Sequence, residues 1–364
     1  MKAIIVNCFD TFDNRVKLVR EVLKEKKYDI SVVTSDFMHI KKEYISNYNE
    51  GYEYIHVKRY KRNLSYARIN SHYLFAKTVY KKIEEDKPDL IYCILPANSL
   101  AKYVSKYKRN NANVKLYFDI NDMWPESLPI PVIKNYFPFT IWRNLRNKNL
   151  VYADKIITEC DLFKNKIKDV VKRNDITTIY MPAMGKEQVS CKRRILSFDR
   201  LRLCYLGSIN NIIDIDGIVN FIKSVNKQVD LEIIGDGCNV QMLIDATQEV
   251  GAHVLYHGLV YEEGKKKEIM SKCHFGLNFM KNSVCVGLTM KSVEYFRFGL
   301  PIINNIQGDT WDLIKKEKIG INYDGNIIEN LFKDYEIMLN NTAYVFKKYF
   351  SKEIIKNKLK DVIM

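Results

Sequence analysis

The chain has 364 residues, enough for about two domains that each bury a core. Hydrophobic residues make up 47% and charged residues 28%, which excludes a disordered chain, and 15 Gly with 8 Pro exclude collagen-like, linker-like and many-turned all-β classes. The net charge of +15 is lopsided: residues 1–186 carry 34 Lys and Arg against 21 Asp and Glu, residues 187–364 carry 24 against 22, so the first half favours an anionic partner.

In chain order, Lys2–Cys8 reads as a buried strand; its apolar run meets Asp10 without a small-residue cleavage site, which argues against a signal peptide. A helix over Asn14–Lys26 follows, with Val16, Val19, Val22 and Leu23 on one face. Strands at Ile30–Thr34 and Tyr54–Val57, a helix at Ser71–Glu85, a strand at Asp89–Leu95, a helix at Ser99–Tyr107 and strands at Val114–Asp119 and Lys155–Thr158 complete the first half. Polar, aperiodic Gly185–Arg200 reads as a linker. The alternation restarts with strands at Leu201–Leu206, Asp230–Ile234, Val254–His257, Phe275–Phe279 and Pro301–Asn304, separated by helices at Gly217–Val225, Val240–Val250, Lys265–Ser271 and Met290–Phe298. Such alternation implies parallel sheets covered on both faces. The expected fold is α/β, with two Rossmann-like domains over 1–185 and 186–341 and a basic tail helix, 342–364, packing back on the first. No apolar run approaches the roughly 18–20 residues that span a bilayer. The eight cysteines, Cys191 among them, form no C-x-x-C and no zinc spacing, which fits a reduced cytosol.

Open α/β sheets bind ligands outside the carboxyl ends of their strands, so the loops after strands are the candidates. Gly207-Ser208 follows the first strand of the second half and permits close backbone approach. Gly235-Asp236-Gly237 follows the next, and His257-Gly258, with Val260 beyond, the third. Gly287-Leu288-Thr289 opens a helix carrying Lys291 in its first turn and Glu294 on the same face. A cation there opposes the helix dipole unless an anion is bound, so a phosphate on Lys291 and the helix N–H groups, with Glu294 on a ribose diol, is a coherent site. Taken singly these are common turns and a surface Lys–Glu pair on a capped helix. The Asp214-Ile-Asp216 triplet looks like a metal-binding D-x-D, but a helical pattern follows at once, so Asp216 reads as an N-cap.

Taken in order, Gly207, I-I-G-D-G, H-G-x-V and V-G-L-T-x-K-x-x-E-Y-x-x-x-G-L-P-I-I over residues 200–305 resemble the nucleotide-sugar half of family 4 glycosyltransferases, two-domain enzymes of the GT-B fold. Asp119-Ile-Asn121-Asp122-Met-Trp124-Pro125 is similar, more loosely, to the family segment with a His-Asp or Arg-Asp before an aromatic–Pro pair. The chain departs from the pattern in four places: Val286 replaces the first acid of the family's Glu-x7-Glu, no Arg/Lys pair follows Gly207, Asn121 stands where His often precedes the Asp, and Asn7-Cys-Phe-Asp10-Thr-Phe-Asp13-Asn14-Arg15 replaces the Gly-rich first loop of the first half.

The resemblance implies two domains facing across a cleft and a retaining, metal-independent transfer from a nucleotide diphosphate-sugar, UDP-linked, to a lipid-linked saccharide of surface-polysaccharide synthesis. It makes Gly207, Ser208, Gly235, Asp236, Gly237, His257, Gly258, Val260, Gly287, Leu288, Thr289, Lys291 and Glu294 the donor set. Lys291, Glu294, Asp122 and Asp13 are the catalytic candidates, and Asn14, Asn121 and Trp124 face the acceptor. Asp119 and Asp122 have the alternative role of capping the loop before Trp124. Base-and-aromatic clusters at 58–62, 102–109 and 134–146 make the inner face of the cell membrane the expected location, with a merely solvated basic face as the alternative; no nucleic-acid motif accompanies them. The missing acid and basic pair leave open a GT-B-shaped partner subunit without activity.

Overall fold

The computed structural model describes residues 1–130, 132–183, 185, 197–328 and 330–363; most of the expected linker lies outside them. The chain divides into two compact units, one of Met1–Ser127, Pro131–Pro182 and Ile355–Met364, the other of Leu128–Ile130 and Ala183–Ile354.

The first unit runs β1 (Lys2–Asn7), α1 (Asp13–Glu25), β2 (Asp29–Ser35), β3 (Phe37–Met38), β4 (Glu43–Tyr44), β5 (Tyr52–Ile55), α2 (Tyr66–Asp86), β6 (Leu90–Leu95), α3 (Asn98–Asn110), β7 (Lys115–Ile120), α4 (Phe139–Asn147), β8 (Lys155–Thr158), α5 (Asp161–Val171) and β9 (Ile176–Thr178). Its parallel sheet has the order β5-β2-β1-β6-β7-β8-β9, and β3 pairs with β4 as a separate hairpin. β6 is buried at every residue, as a strand covered on both faces must be. Ile5, Val19, Leu23, Val32 and Tyr92 share a core with Ile355 and Leu359 from the chain's last helix and with Ile363 just after it.

The second unit runs β10 (Arg200–Leu206), α6 (Ile215–Ser224), β11 (Gln228–Ile234), α7 (Val240–Glu249), β12 (His253–Tyr256), α8 (Glu263–Met270), β13 (Phe275–Asn278), α9 (Met290–Arg297), β14 (Ile302–Asn304), α10 (Asp309–Glu317), β15 (Gly320–Asn322) and α11 (Tyr335–Val345). The sheet order is β12-β11-β10-β13-β14-β15, parallel throughout. α12 (Lys352–Val362) closes the chain, with Lys356 and Lys360 pairing with Glu25 of α1. Both sheets are therefore Rossmann-like.

Several elements differ from the sequence expectation. α2 starts five residues earlier than periodicity suggests, because Ser65 caps it by accepting from the Arg68 N–H. β3, β4, α4, α5, β9, α10 and β15 are additional elements, and β5 ends at Ile55, two residues before Val57. The expected tail helix over 342–364 is broken: α11 already starts at Tyr335, a π-helical turn covers Phe346–Phe350, and extended Ser351 separates it from α12.

Candidate active site

At the carboxyl edge of the second unit's sheet, three loops are stitched into one rim. Gly207 N–H donates to the Ile234 carbonyl at 2.8 Å, Ile209 N–H to Asp236 at 2.9 Å and Gly235 N–H to Gly258 at 2.8 Å. A Cβ on Gly235 would collide with the Gly207 carbonyl, and one on Gly237 with that of Ile209, so the approach of the first two loops requires glycine. Gly207 and Gly258 both have positive φ and open space on their Cα side. Exposed Ser208 accepts at its carbonyl from Tyr205 Oη. Asp236 turns back on its own loop and accepts from Gly237 N–H at 2.7 Å. His257 Nε2 meets Glu232 of β11 at 2.5 Å, which fastens the ring to the sheet, and Val260 lies half-buried beyond Gly258.

α9 enters the same edge. Thr289 caps it, accepting from Ser292 N–H at 3.2 Å and donating to Asn278 Oδ1 at 2.8 Å. Asn278, Asn304 and Asn322 continue as hydrogen-bonded rungs across β13, β14 and β15. Tyr295 Oη accepts from Leu206 N–H at 2.7 Å and donates to the Cys204 carbonyl at 3.0 Å, with its ring against Gly276. Gly287 is held through its carbonyl by the Thr310 N–H and hydroxyl, and Leu288 is buried. The start of α9 is thus fixed by paired buried polar groups, which rigidify a site. The hydroxyl of Thr289 is spent on the cap; what it contributes is the placement of the helix N-terminus.

Lys291 and Glu294 do not pair with each other. Lys291 Nζ donates to Tyr205 Oη at 3.1 Å, 4.5 Å from the ring centroid. Among the described residues no carboxylate pairs with it, and burial lowers its amine to about 7. Glu294 is bound from the other side by Arg297, Nε to Oε2 at 3.0 Å and Nη2 to Oε1 at 2.6 Å. Arg297, almost wholly buried, also holds Glu263 of α8 at 2.6 Å. A guanidinium fork at i+3 matches a carboxylate better than an ammonium does. No local signal in the sequence announces the link to Glu263, 34 positions away.

The N-cap of α6 is Asp214, not Asp216. Asp214 Oδ1 accepts from Gly217 N–H at 3.0 Å and Oδ2 from Asn305 Nδ2 at 2.8 Å, while Asp216 lies inside the helix. The cap falls two residues earlier because Gly217 supplies the N3 amide.

In the first unit, Asp119, next to last in β7, is fully buried and bound by Arg15 Nε at 3.1 Å and Tyr92 Oη at 2.6 Å, which ties α1 to the sheet. Asn121 is buried behind it. Asp122 accepts from Ser127 Oγ at 2.5 Å; desolvation pushes its carboxyl up, against lowering hydrogen bonds from Ser127, Met123 N–H and Trp124. Trp124 centres a cluster that the sequence does not announce. Buried Arg68 stacks 3.8 Å from its ring centroid, His72 lies parallel at 5.9 Å, and Phe9 meets it edge-on at 5.3 Å. His39, lowered to about 3 chiefly by burial, bonds Tyr60 Oη at 2.8 Å. Asp13 is engaged by Lys17 at 2.7 Å and Tyr52 Oη at 3.0 Å, with Asn14 beside it in the first turn of α1. No hydrogen bond or ion pair joins Asp13 to Asp122 among the described residues.

No protein-family model matches the chain, and no curated sequence matches it. Solved structures do match along nearly its whole length. Sucrose-phosphate synthase from Thermosynechococcus elongatus superposes with a TM-score of 0.70 at 14% identity, covering 99% of this chain and 98% of that one. WaaG, a glycosyltransferase involved in lipopolysaccharide biosynthesis, gives 0.68 at 10% identity and 99% coverage of both. HepE from Anabaena, solved in complex with UDP, gives 0.67 at 12% identity and 99% coverage of both. The fold is therefore GT-B, two Rossmann-like domains, shared with glycosyltransferases of low sequence identity.

Proposed function

We propose that the chain is a glycosyltransferase that takes its sugar from a nucleotide diphosphate, UDP-linked, and passes it to a lipid-linked saccharide. The observation that carries this reading is the rim of the second unit. Gly207, the Gly235–Gly237 turn, Gly258 and the capped start of α9 share one sheet edge, and beside them stands a lysine that pairs with no carboxylate among the described residues. In this reading Gly258 and Val260 border the base, Glu294 takes the ribose hydroxyls, and Lys291 with the α9 N-terminus takes the diphosphate. As the anomeric C–O bond breaks, charge grows on the departing diphosphate. Lys291 and the helix N–H groups stabilise it there, an electrostatic role that needs no metal. The acceptor oxygen bonds to the anomeric carbon and releases its proton. Asp122, whose carboxyl burial raises, and Asp13, in the first turn of α1, are the acceptor-side candidates for that proton.

The resemblance to family 4 and the retention of anomeric configuration belong to this reading, as does a place in surface-polysaccharide synthesis on the inner face of the cell membrane. So do the roles of Trp124, Asn121 and Asn14 at the acceptor. A panel of radiolabelled nucleotide-sugars with a polyprenyl-diphosphate-linked saccharide tests it: incorporation that disappears in Glu294→Gln supports transfer. A second reading, a catalytically silent partner subunit, is favoured by Val286 and by the absence of a basic pair after Gly207. Nucleotide binding without incorporation across the panel would select it.

A further inference from the structure

The segment after Trp124-Pro125 leaves an apolar surface that the donor site does not use. Val132, Ile133, Tyr136, Phe137 and Ile141 are all exposed, Phe137 at 77% and Tyr136 at 64%. They lie within ten residues, on a short 3-10 turn and the adjoining start of α4. Apolar residues scattered singly over a surface need no explanation, but five large ones in one short segment mark an interaction site.

Charge identifies the partner. Between Glu126 and Asp154 there is no acidic residue, while Lys134, Arg143, Arg146 and Lys148 fall in that interval. Glu126 neutralises part of this: it pairs with Arg146 at 2.7 Å and with Arg143 at 3.2 Å. Those ion pairs and the buried Phe139 and Trp142 anchor α4 from behind, so the exposed side chains stand on a fixed support. The sequence reading puts Phe139, Trp142 and Arg146 at the lipid surface; the structure spends them on that support. With Arg146 buried and Arg143 paired to Glu126, half-buried Lys134 and exposed Lys148 are the bases this segment brings to the surface; such bases near exposed aromatics suit the headgroup level of an anionic bilayer, where rings sit at the interface and each nearby base adds about 1 kcal/mol. A protein partner would have to match the same apolar ridge with acids around it, and this segment of a second copy offers none: Glu126 is the nearest acid and is already paired.

We propose that residues 132–141 form a wedge that inserts Tyr136 and Phe137 into the interfacial layer of an anionic membrane. The wedge deepens the membrane part of the reading above and rests on it. It does not depend on transfer activity, and UDP binding reads the second unit separately.

The test is co-sedimentation of the full chain with phosphatidylcholine–phosphatidylglycerol vesicles, against phosphatidylcholine alone, with Tyr136→Ser/Phe137→Ser and Tyr136→Trp. Both positions are exposed, so the variants should fold, and unchanged UDP binding will confirm it. The wild type is expected in the anionic pellet, with the double variant partitioning about ten-fold or more weaker, as loss of two buried aromatics implies. Emission of the Tyr136→Trp variant, with the wild-type spectrum subtracted, should shift to the blue on adding anionic vesicles. Equal recovery of wild type and double variant, or an unshifted difference spectrum, overturns the wedge while leaving the donor site standing. A concentration-dependent dimer abolished by the double variant, without vesicle binding, would also overturn it in favour of a second copy.

Discussion

Arg297 holds Glu294 in a two-pronged grip, 3.0 Å and 2.6 Å, from a position that solvent hardly reaches. A carboxylate gripped this way is fixed in direction yet keeps lone pairs for a ligand's hydroxyls. Removing one partner of such a buried pair strands the other. Arg297→Met should therefore lower unfolding free energy by about 3–5 kcal/mol in denaturant titration and weaken nucleotide binding as well. Arg297→Lys should recover part of the stability and less of the binding, since an ammonium cannot reproduce the fork. Equal nucleotide affinity in all three proteins would reduce the pair to a structural one.

Glu294→Gln keeps an acceptor oxygen for Arg297 and loses the charge. The expected stability loss is about 1–3 kcal/mol. Nucleotide-sugar affinity should fall by more than that loss explains, at a temperature where the variant is fully folded. Calorimetric titration showing unchanged affinity would remove Glu294 from the ribose.

Lys291 gives two opposite pH signatures. Its amine is lowered to about 7, far below an ordinary lysine, by burial. Between that value and about 10.4 the unfolded chain holds a proton that the folded chain lacks, so stability of the ligand-free protein should rise with pH across this window. Diphosphate affinity should do the reverse, because the anion selects the charged amine, which is lost as pH climbs through about 7. Lys291→Met should flatten both profiles, and nucleotide titrations from about pH 6 to about pH 9, bracketing that value, are the check. A wild-type affinity indifferent to pH would contradict a role on the diphosphate.

Asp214 spends both carboxylate oxygens inside the protein, on the α6 cap and on Asn305. Transfer should therefore survive chelation with EDTA, and Asp214→Ala should cost about 1 kcal/mol of stability with nucleotide affinity intact. Loss of activity on chelation, rescued by manganese, would overturn the assignment.

Much of the fold is legible in the sequence because the buried strands are short continuous apolar runs, as at Leu90–Leu95, where the pattern needs no tertiary information. Short edge elements are not legible: Ile176–Thr178 and Gly320–Asn322 have three residues each, too few to show a pattern. The glycine rim of the second unit is legible because the spacing of its glycines follows strand ends. Its electrostatics are not. Arg297 and Glu263 lie far apart in sequence, and the Lys291 amine rests on the Tyr205 ring, 86 positions away. The Trp124 cluster is hidden for the same reason, since Phe9, His39, Tyr60, Arg68 and His72 come from separate loops and a helix start.

The most direct test of the central claim, a nucleotide diphosphate seated on Lys291 and Glu294, is the thermal unfolding midpoint measured with UDP, GDP and ADP. A ligand at about 100 times its dissociation constant adds about 2.7 kcal/mol, a shift that is easily read. A clear upward shift is expected with UDP, larger than with GDP or ADP, and abolished in Lys291→Met and Glu294→Gln. No shift with any of the three, or a UDP shift that both variants retain in full, would contradict it.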